Sequence, residues 1–214
     1  MRSNLENIRR ITIVGGGFSG ALILAEQVRQ VQRLLQTGQR PQLPNKIKIT
    51  IVDPSVRVGP GNPYQPILDS YLLNQPAYAM SPFADEPNHF VKWLEKRNVQ
   101  EENLSHSFQP RKLYGEYLTD IFDEARKIAS NPDFPVEITH AQTSVSSADF
   151  SQAGSVIVQA ENGESWESDS LIIADGHHKN ELLSSLQTHP NYHDGILDCS
   201  TFQFEKPKRV LIVG

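Results

Sequence analysis

The sequence predicts an α/β fold built on a parallel sheet, with an added β-hairpin and a helical insertion, and three observations predict it. A short apolar run, Ile11-Thr12-Ile13-Val14, stops at three consecutive glycines. Unbroken apolarity over so few residues marks a strand buried on both faces, as in a parallel sheet. A helical stretch and an alternating strand follow, giving the order strand, helix, strand. Further on, Asn162-Gly163 stands between two short alternating runs, a strong hairpin signal.

Residues from Ser19 to about Leu35 have helical composition and place Ala21, Ile23, Leu24, Val28, Val31 and Leu35 near one stripe. Gly38, Pro41 and Pro44 make residues 37–45 a loop. Lys46 to Val52 alternates as a second strand and is closed by Asp53-Pro54, completing one right-handed βαβ unit. Residues 55–84 are rich in Pro, Gly and Asn, with an apolar patch at Tyr71-Leu72-Leu73. A loop of that length inside a domain points to a functional or disordered segment. Two helices follow and make the insertion, about residues 55–130. Glu86 to Lys96 places Phe90, Val91 and Leu94 on one face, and Lys112 to Ala129 places Tyr114, Tyr117, Leu118, Ile121, Phe122, Ala125 and Ile128 at spacings of three and four. Val136 to Thr139 reads as a strand, Ser155 to Gln159 and Ser165 to Ser168 as the hairpin, and Leu171 to Ala174 as a buried strand ending at Asp175-Gly176.

Bulk properties exclude several classes of function. The chain has 214 residues, 21% of them charged, and a formal net charge of −5. That mildly acidic balance offers no basic excess to nucleic acid or to an anionic membrane. No run approaches the roughly 20 apolar residues of a membrane span, and the polar Met1–Arg10 leads into a strand rather than a secretory signal. Cys199 is the only cysteine, so an internal disulfide and a Cys-x-x-Cys pair are excluded, and a reducing cytoplasm is the expected compartment. His177, His178, His189 and His193 match no common zinc spacing, and no metal site is expected.

Gly15-Gly16-Gly17-Phe18-Ser19-Gly20 fits G-x-G-x-x-G, with Gly15, Gly17 and Gly20 at the three required positions. The first glycine permits a tight turn off the strand, the second lets backbone approach a pyrophosphate, and the third lets helix pack on sheet. The helix start offers unpaired N–H groups and a partial positive charge to phosphates. Asp53, where the second strand ends, is placed to accept hydrogen bonds from ribose hydroxyls and disfavours a 2′-phosphate. It lies further along than the usual spacing of about 20 residues, an excess that the longer helix and the 37–45 loop absorb. The fold class is therefore Rossmann-like and the expected partner a dinucleotide. Arg209-Val210-Leu211-Ile212-Val213-Gly214 repeats the pattern of Arg10-Ile11-Thr12-Ile13-Val14-Gly15. The expected organisation is a dinucleotide-binding domain over residues 1–176, a linker over 177–208, and the start of a second such unit, cut at its first glycine, over 209–214.

FAD and NAD share this fingerprint, and other phrases discriminate between them. Ile51-Val52-Asp53, Gly59-Pro60-Gly61 before Tyr64, Leu72-Leu73-Asn74, Met80-Ser81, Phe90 with Trp93-Leu94, Pro110-Arg111 with Tyr114-Gly115 and Tyr117-Leu118, and Ala174-Asp175-Gly176 occur in that order. The series resembles a family of FAD/NAD(P)-binding proteins related to flavin-dependent monooxygenases and similar in layout to ornithine and lysine N-hydroxylases. The resemblance runs from Ile11 to Gly176 and resumes at Arg209. It implies FAD as cofactor, with Arg57 and Gly61 beside the pyrophosphate or flavin edge, Asn74 offering an amide to the isoalloxazine, Arg111 at the cofactor or substrate mouth, and Gly176 where the chain crosses the cofactor. Asp175 departs from the Ala-Thr-Gly of such flavoproteins, and its carboxylate is expected to turn away from the flavin phosphates.

Three functions remain open at this level. The first is the FAD-binding part of an NAD(P)H-dependent, monooxygenase-type oxidoreductase, whose flavin carries the chemistry, so that no side chain is named as acid, base or nucleophile. Without a second site for NAD(P)H, the isolated chain should at best bind FAD and turn over poorly or not at all. The others are an NAD-dependent dehydrogenase and a non-catalytic dinucleotide-binding or interaction module. A domain cut at its neighbour's first strand would leave apolar surface uncovered, which allows a homodimer.

Overall fold

The structure is a computed structural model that describes residues 7–65, 70–150, 154–176 and 189. Its centre is a parallel sheet of β1 (Ile8–Val14), β2 (Lys46–Val52), β3 (Val136–Ala141) and β7 (Ser170–Ile173), in the order β3-β2-β1-β7. β1 pairs in register with β2 from Ile8–Lys46 to Val14–Val52, and with β7 from Ile11–Ser170 to Val14–Ile173. From β1 the chain steps outward to β2 and β3, then returns to the far side of β1 as β7. The carboxyl ends of β1 and β7 are thus a topological switch point, where open α/β sheets bind ligands.

Helix α1 (Phe18–Gln36) links β1 to β2. It buries Ala21, Leu24, Ala25, Val28 and Val31, while Ile23 and Leu35 of the predicted stripe stay partly exposed. The insertion between β2 and β3 carries α2 (His89–Lys96) and α3 (Arg111–Ala129), and α3 packs along α1. α2 starts three residues later than the periodicity predicts. Pro87 disfavours helical geometry at Glu86, and residues 83–89 run as successive turns instead. The Tyr114–Tyr117 face of α3 is core, both rings being almost wholly buried.

The predicted hairpin is present as β5 (Val156–Ala160) and β6 (Ser165–Ser168), joined through Gly163 at φ 88°. It is not alone: β4 (Val145–Asp149) pairs antiparallel with β5, making a three-stranded sheet. The sequence of β4, Val-Ser-Ser-Ala-Asp, is polar and lacks a strand pattern; its pairing with β5, not its own composition, makes it a strand. No helix among the described residues is long and apolar enough to cross a membrane. His177, His178, His193, Cys199, residues 177–188 and 190–208 of the expected linker, and the strand pattern at 209–214 lie outside the described residues.

Candidate functional site

β1 runs into the glycine turn at the switch point. The Gly15 amide donates to the Val52 carbonyl (2.8 Å), so the turn is fixed to β2 as it leaves β1. Gly15 has φ +97°, and a Cβ there would sit 2.2 Å from the Ala174 carbonyl oxygen, in the chain leaving β7. A Cβ on Gly20 would sit 1.9 Å from the Gly15 carbonyl oxygen and 3.4 Å from Ile13. The third glycine therefore lets α1 close on the turn and on β1, as the sequence predicts.

The second glycine differs from expectation in detail. The space that a side chain on Gly17 would take is bordered by Gly61, whose Cα lies 3.4 Å from the Cβ position. Gly61, at φ +55°, has its own Cβ position 3.1 Å from the Gly17 Cα. The two bare backbones abut, and the Gly59 amide donates to the Gly16 carbonyl (2.7 Å). Part of the long loop after β2 is thus folded onto the glycine turn, with Val58 buried beneath it. The first helical hydrogen bond of α1 runs from Ala21 N–H to the Gly17 carbonyl (3.0 Å), leaving the amides of Phe18, Ser19 and Gly20 ahead of it. No side chain caps this end and no acidic residue stands in its first turn, so its partial positive charge is available to an anion.

Asp53 closes the far side. Its Oδ2 accepts from the Gly16 amide (2.5 Å) and its Oδ1 from the Ser55 amide (2.8 Å). The carboxylate holds the turn in shape as well as facing it, and an ionised carboxylate has about four lone-pair sites, so acceptor capacity remains. His140 on β3 donates from Nε2 to the Asp53 carbonyl (3.2 Å), tying the end of β2 to its neighbour.

Of the other predicted residues, Arg111 is tied to the segment before α3 rather than to the turn. It opens α3, where its amide donates to Tyr71 (2.7 Å) and its Nε to the Leu72 carbonyl (3.1 Å). Its guanidinium draws the Tyr64 phenol down, against the larger upward push of burial. Tyr64 packs on Phe18, the first residue of α1, at 5.9 Å between ring centroids. Sequence reasoning did not place Tyr64 against the turn; its place three residues after Gly61 was the available signal. Arg57 is exposed and reaches Thr119 on α3 (3.4 Å). Asn74 is exposed beside the short pairing of residues 71–73 with 109–111, with no described contact to the turn. Gly176, at φ +81°, stands in open space two residues beyond Ala174. Asp175 is exposed. Two surface grooves lie elsewhere, one between the C-terminal halves of α1 and α3 over Leu35, Ile128 and Phe134, the other beside Phe83, and neither contains a predicted site residue.

A family model described as FAD-NAD(P)-binding matches residues 12–178. Among curated proteins nothing matches the chain. The closed crystal structure of cyclohexanone monooxygenase superposes with a TM-score of 0.51 at 14% identity, over 82% of this chain and 28% of that one. Oxidized steroid monooxygenase bound to NADP gives 0.49 at 19% identity, over 81% and 27%. A flavin-containing monooxygenase from Stenotrophomonas maltophilia gives 0.47 at 17% identity, over 81% and 42%. The chain therefore spans less than half the length of each of these structures, and the likeness is one of fold.

Proposed function

The chain belongs to the FAD-NAD(P)-binding family, and from that premise we propose that it holds FAD as the FAD-binding part of an NAD(P)H-dependent flavoprotein oxidoreductase of the monooxygenase type. The observation that carries this reading is the meeting of the Gly17 and Gly61 backbones at the switch point, beside an uncapped helix start and opposite Asp53.

The residues present fit such a cofactor. The Phe18, Ser19 and Gly20 amides would take the pyrophosphate, and Gly15 and Gly20 hold the turn that presents them. The acceptor sites that Asp53 keeps free would take ribose hydroxyls. Tyr64 and Phe18 would wall the cleft, with Arg111, Arg57 and Asn74 along its far rim and Gly61 and Gly176 as bare backbone at its edges. When bound, FAD supplies hydride acceptance from NAD(P)H and reactivity of the reduced flavin toward oxygen. The protein's own task is to grip the phosphates, orient the ribose and shape the cleft. Residues 1–176 are proposed as this unit, and the NAD(P)H site is proposed to lie outside it.

Equilibrium dialysis of the purified chain against FAD, with NAD in parallel, tests the reading. FAD retained with a flavin spectrum is the expected result. Stabilisation by NAD with no FAD uptake would replace it with the dehydrogenase reading. Gly17→Val, which must push the Gly61 loop away, is expected to abolish FAD retention while the fold survives.

A further inference from the structure

We infer that the outer face of the strand pair at residues 71–73 and 109–111, headed by Arg111, binds a small carboxylate with an aromatic body, as the substrate end of the proposed flavin site. The inference rests on the reading of the glycine turn as the FAD site and adds the class of molecule brought to it.

The strand pair has an inside and an outside. Leu72 and Pro110 stand opposite each other in antiparallel pairing. Hydrogen bonds from the Leu73 amide to the Gln109 carbonyl (2.8 Å) and from the Arg111 amide to the Tyr71 carbonyl (2.7 Å) bound them. Side chains alternate between the faces of such a ribbon. Leu73 and Gln109 are buried, on the inner face, while Leu72 and Phe108, 49% and 50% exposed, share the outer one. The Ala77 amide donates to the Ser107 carbonyl (3.0 Å), which lays the helical turn Ala77–Ala79 against the same segment. Its half-exposed Tyr78 packs on His106, at 5.2 Å between ring centroids. A face open to solvent normally carries polar side chains. Leucine and phenylalanine there leave apolar surface for a ligand to cover.

Size selects the occupant. Three residues of strand run for about 10 Å, the length of one aryl ring on a short arm. A protein partner needs about 800 Å² on each side. Phe108 and Tyr78 offer edge-to-face contacts, which favour an aromatic body over an aliphatic one.

Charge selects the head group. Arg111 Nε donates to the Leu72 carbonyl (3.1 Å), which holds the guanidinium at the edge of the apolar face. That bond leaves the Nη groups, and among the described residues no carboxylate pairs with Arg111. Arg97 and Arg126 of the same insertion are each paired with carboxylates, Arg97 with Glu116 and Asp120, Arg126 with Asp123. A planar fork of N–H donors matches a carboxylate through two parallel hydrogen bonds.

One ring joins this face to the turn. Burial raises the Tyr64 phenol and the Arg111 guanidinium opposes it, so the two lie within electrostatic reach. Tyr64 packs in turn on Phe18 at the start of α1 (5.9 Å). A molecule held by Arg111 with its ring over Leu72 and Phe108 therefore borders the proposed cofactor cleft.

Calorimetric titration of the purified chain with hydrocinnamate, a carboxylate on a short arm from a phenyl ring, tests the site. Saturable binding is expected with or without FAD. The amide of the same acid, and propanoate, which lacks the ring, are each expected to bind at least about tenfold more weakly. Phe108→Ser, a change at an exposed side chain, is expected to weaken the acid by about tenfold. Arg111→Gln is expected to erase the preference for acid over amide, a readout that a merely structural role would not move. Lys92→Gln, at an exposed cation of α2, is expected to leave binding as it is. No binding, equal binding of acid and amide, or binding that Phe108→Ser leaves unchanged overturns the site. In the FAD-loaded chain, hydrocinnamate is expected to shift the flavin absorbance. Binding with no such shift overturns the site as the substrate end and leaves the FAD reading standing. A chain that takes up no FAD in dialysis fails the FAD reading itself, and the substrate role falls with it, whatever the calorimetry shows.

Discussion

The glycine turn and the aromatic heart of the insertion are both tightly packed, yet they are held in opposite ways. In the turn, backbone meets backbone: Gly15 with Val52 and Ala174, Gly16 with Gly59, Gly17 with Gly61. In the insertion, rings meet rings: Phe90, Tyr114 and Tyr117 fill one another's surroundings from α2 and α3. The first region cannot accept an added atom at Gly15 or Gly20, and the second cannot lose one. A ligand-binding turn gains from the first arrangement, because amides stay bare at its surface. A lobe joined to the sheet through loops gains from the second, because side-chain volume alone specifies how it sits.

The largest effect is expected from emptying the aromatic region. Phe90 is wholly buried, and Phe90→Ala should cost about 3–5 kcal/mol in denaturant unfolding. Gly20→Ala should come next. Its Cβ would lie 1.9 Å from the Gly15 carbonyl oxygen, and the cost should reach about 3 kcal/mol, the upper part of the range for overpacking. An unshifted midpoint in Gly20→Ala would show that the turn yields to an added atom, and the contrast between the two regions would break. Gly17→Ala sharpens it. The new Cβ meets Gly61 at an ordinary contact distance of 3.4 Å, so the loss should be about 1 kcal/mol or less, chiefly from a poorer helix cap. A larger loss would place Gly17 with Gly15 and Gly20 as a residue the fold itself requires.

The same contrast explains what could be read beforehand. A backbone contact with no room for Cβ demands glycine in any sequence context, so Gly15 and Gly20 announce the turn, and Asp53 announces the end of β2. Contacts made by ordinary side chains leave no such mark. Nothing in the spacing of Tyr64 and Arg111 says that the guanidinium lies near enough to act on the phenol, since the loop between them has no period to follow. The resemblance sets Gly61 beside the pyrophosphate or flavin edge, but its contact with the Gly17 backbone was not legible in the sequence. β4 was missed because its pairing with β5, not its residues, makes it a strand. The double duty of Asp53 toward Gly16 and Ser55 was hidden for a similar reason: a carboxylate in sequence does not declare its donors.

The smallest expected effects come from acid, and they separate the insertion's interior from its outer attachment to α1. His89 lies below the ordinary imidazole value because burial disfavours its charged form, with Arg29 and Lys96 acting in the same sense and Glu86 and Glu124 opposing. The unfolded chain takes up this proton near about pH 6.5, the folded chain only at lower pH. The stabilisation is therefore complete above about 6.5 and is lost as pH falls through the folded value. Glu86 accepts a hydrogen bond from Arg29 (2.7 Å) that holds its carboxyl below the usual range. Its contribution is complete above about pH 4.3 and is lost as pH falls through the lower folded value. With Glu86 40% exposed, solvent screening should keep that contribution under about 1 kcal/mol. Urea midpoints measured across both windows should show two separate declines. His89→Phe should flatten only the upper one and Glu86→Gln only the lower. If His89→Phe left the upper decline in place, the histidine would be titrating as freely in the folded chain as in the unfolded one, and the enclosed Tyr117–His89 pair (2.6 Å) on which the aromatic interior depends would not exist in solution.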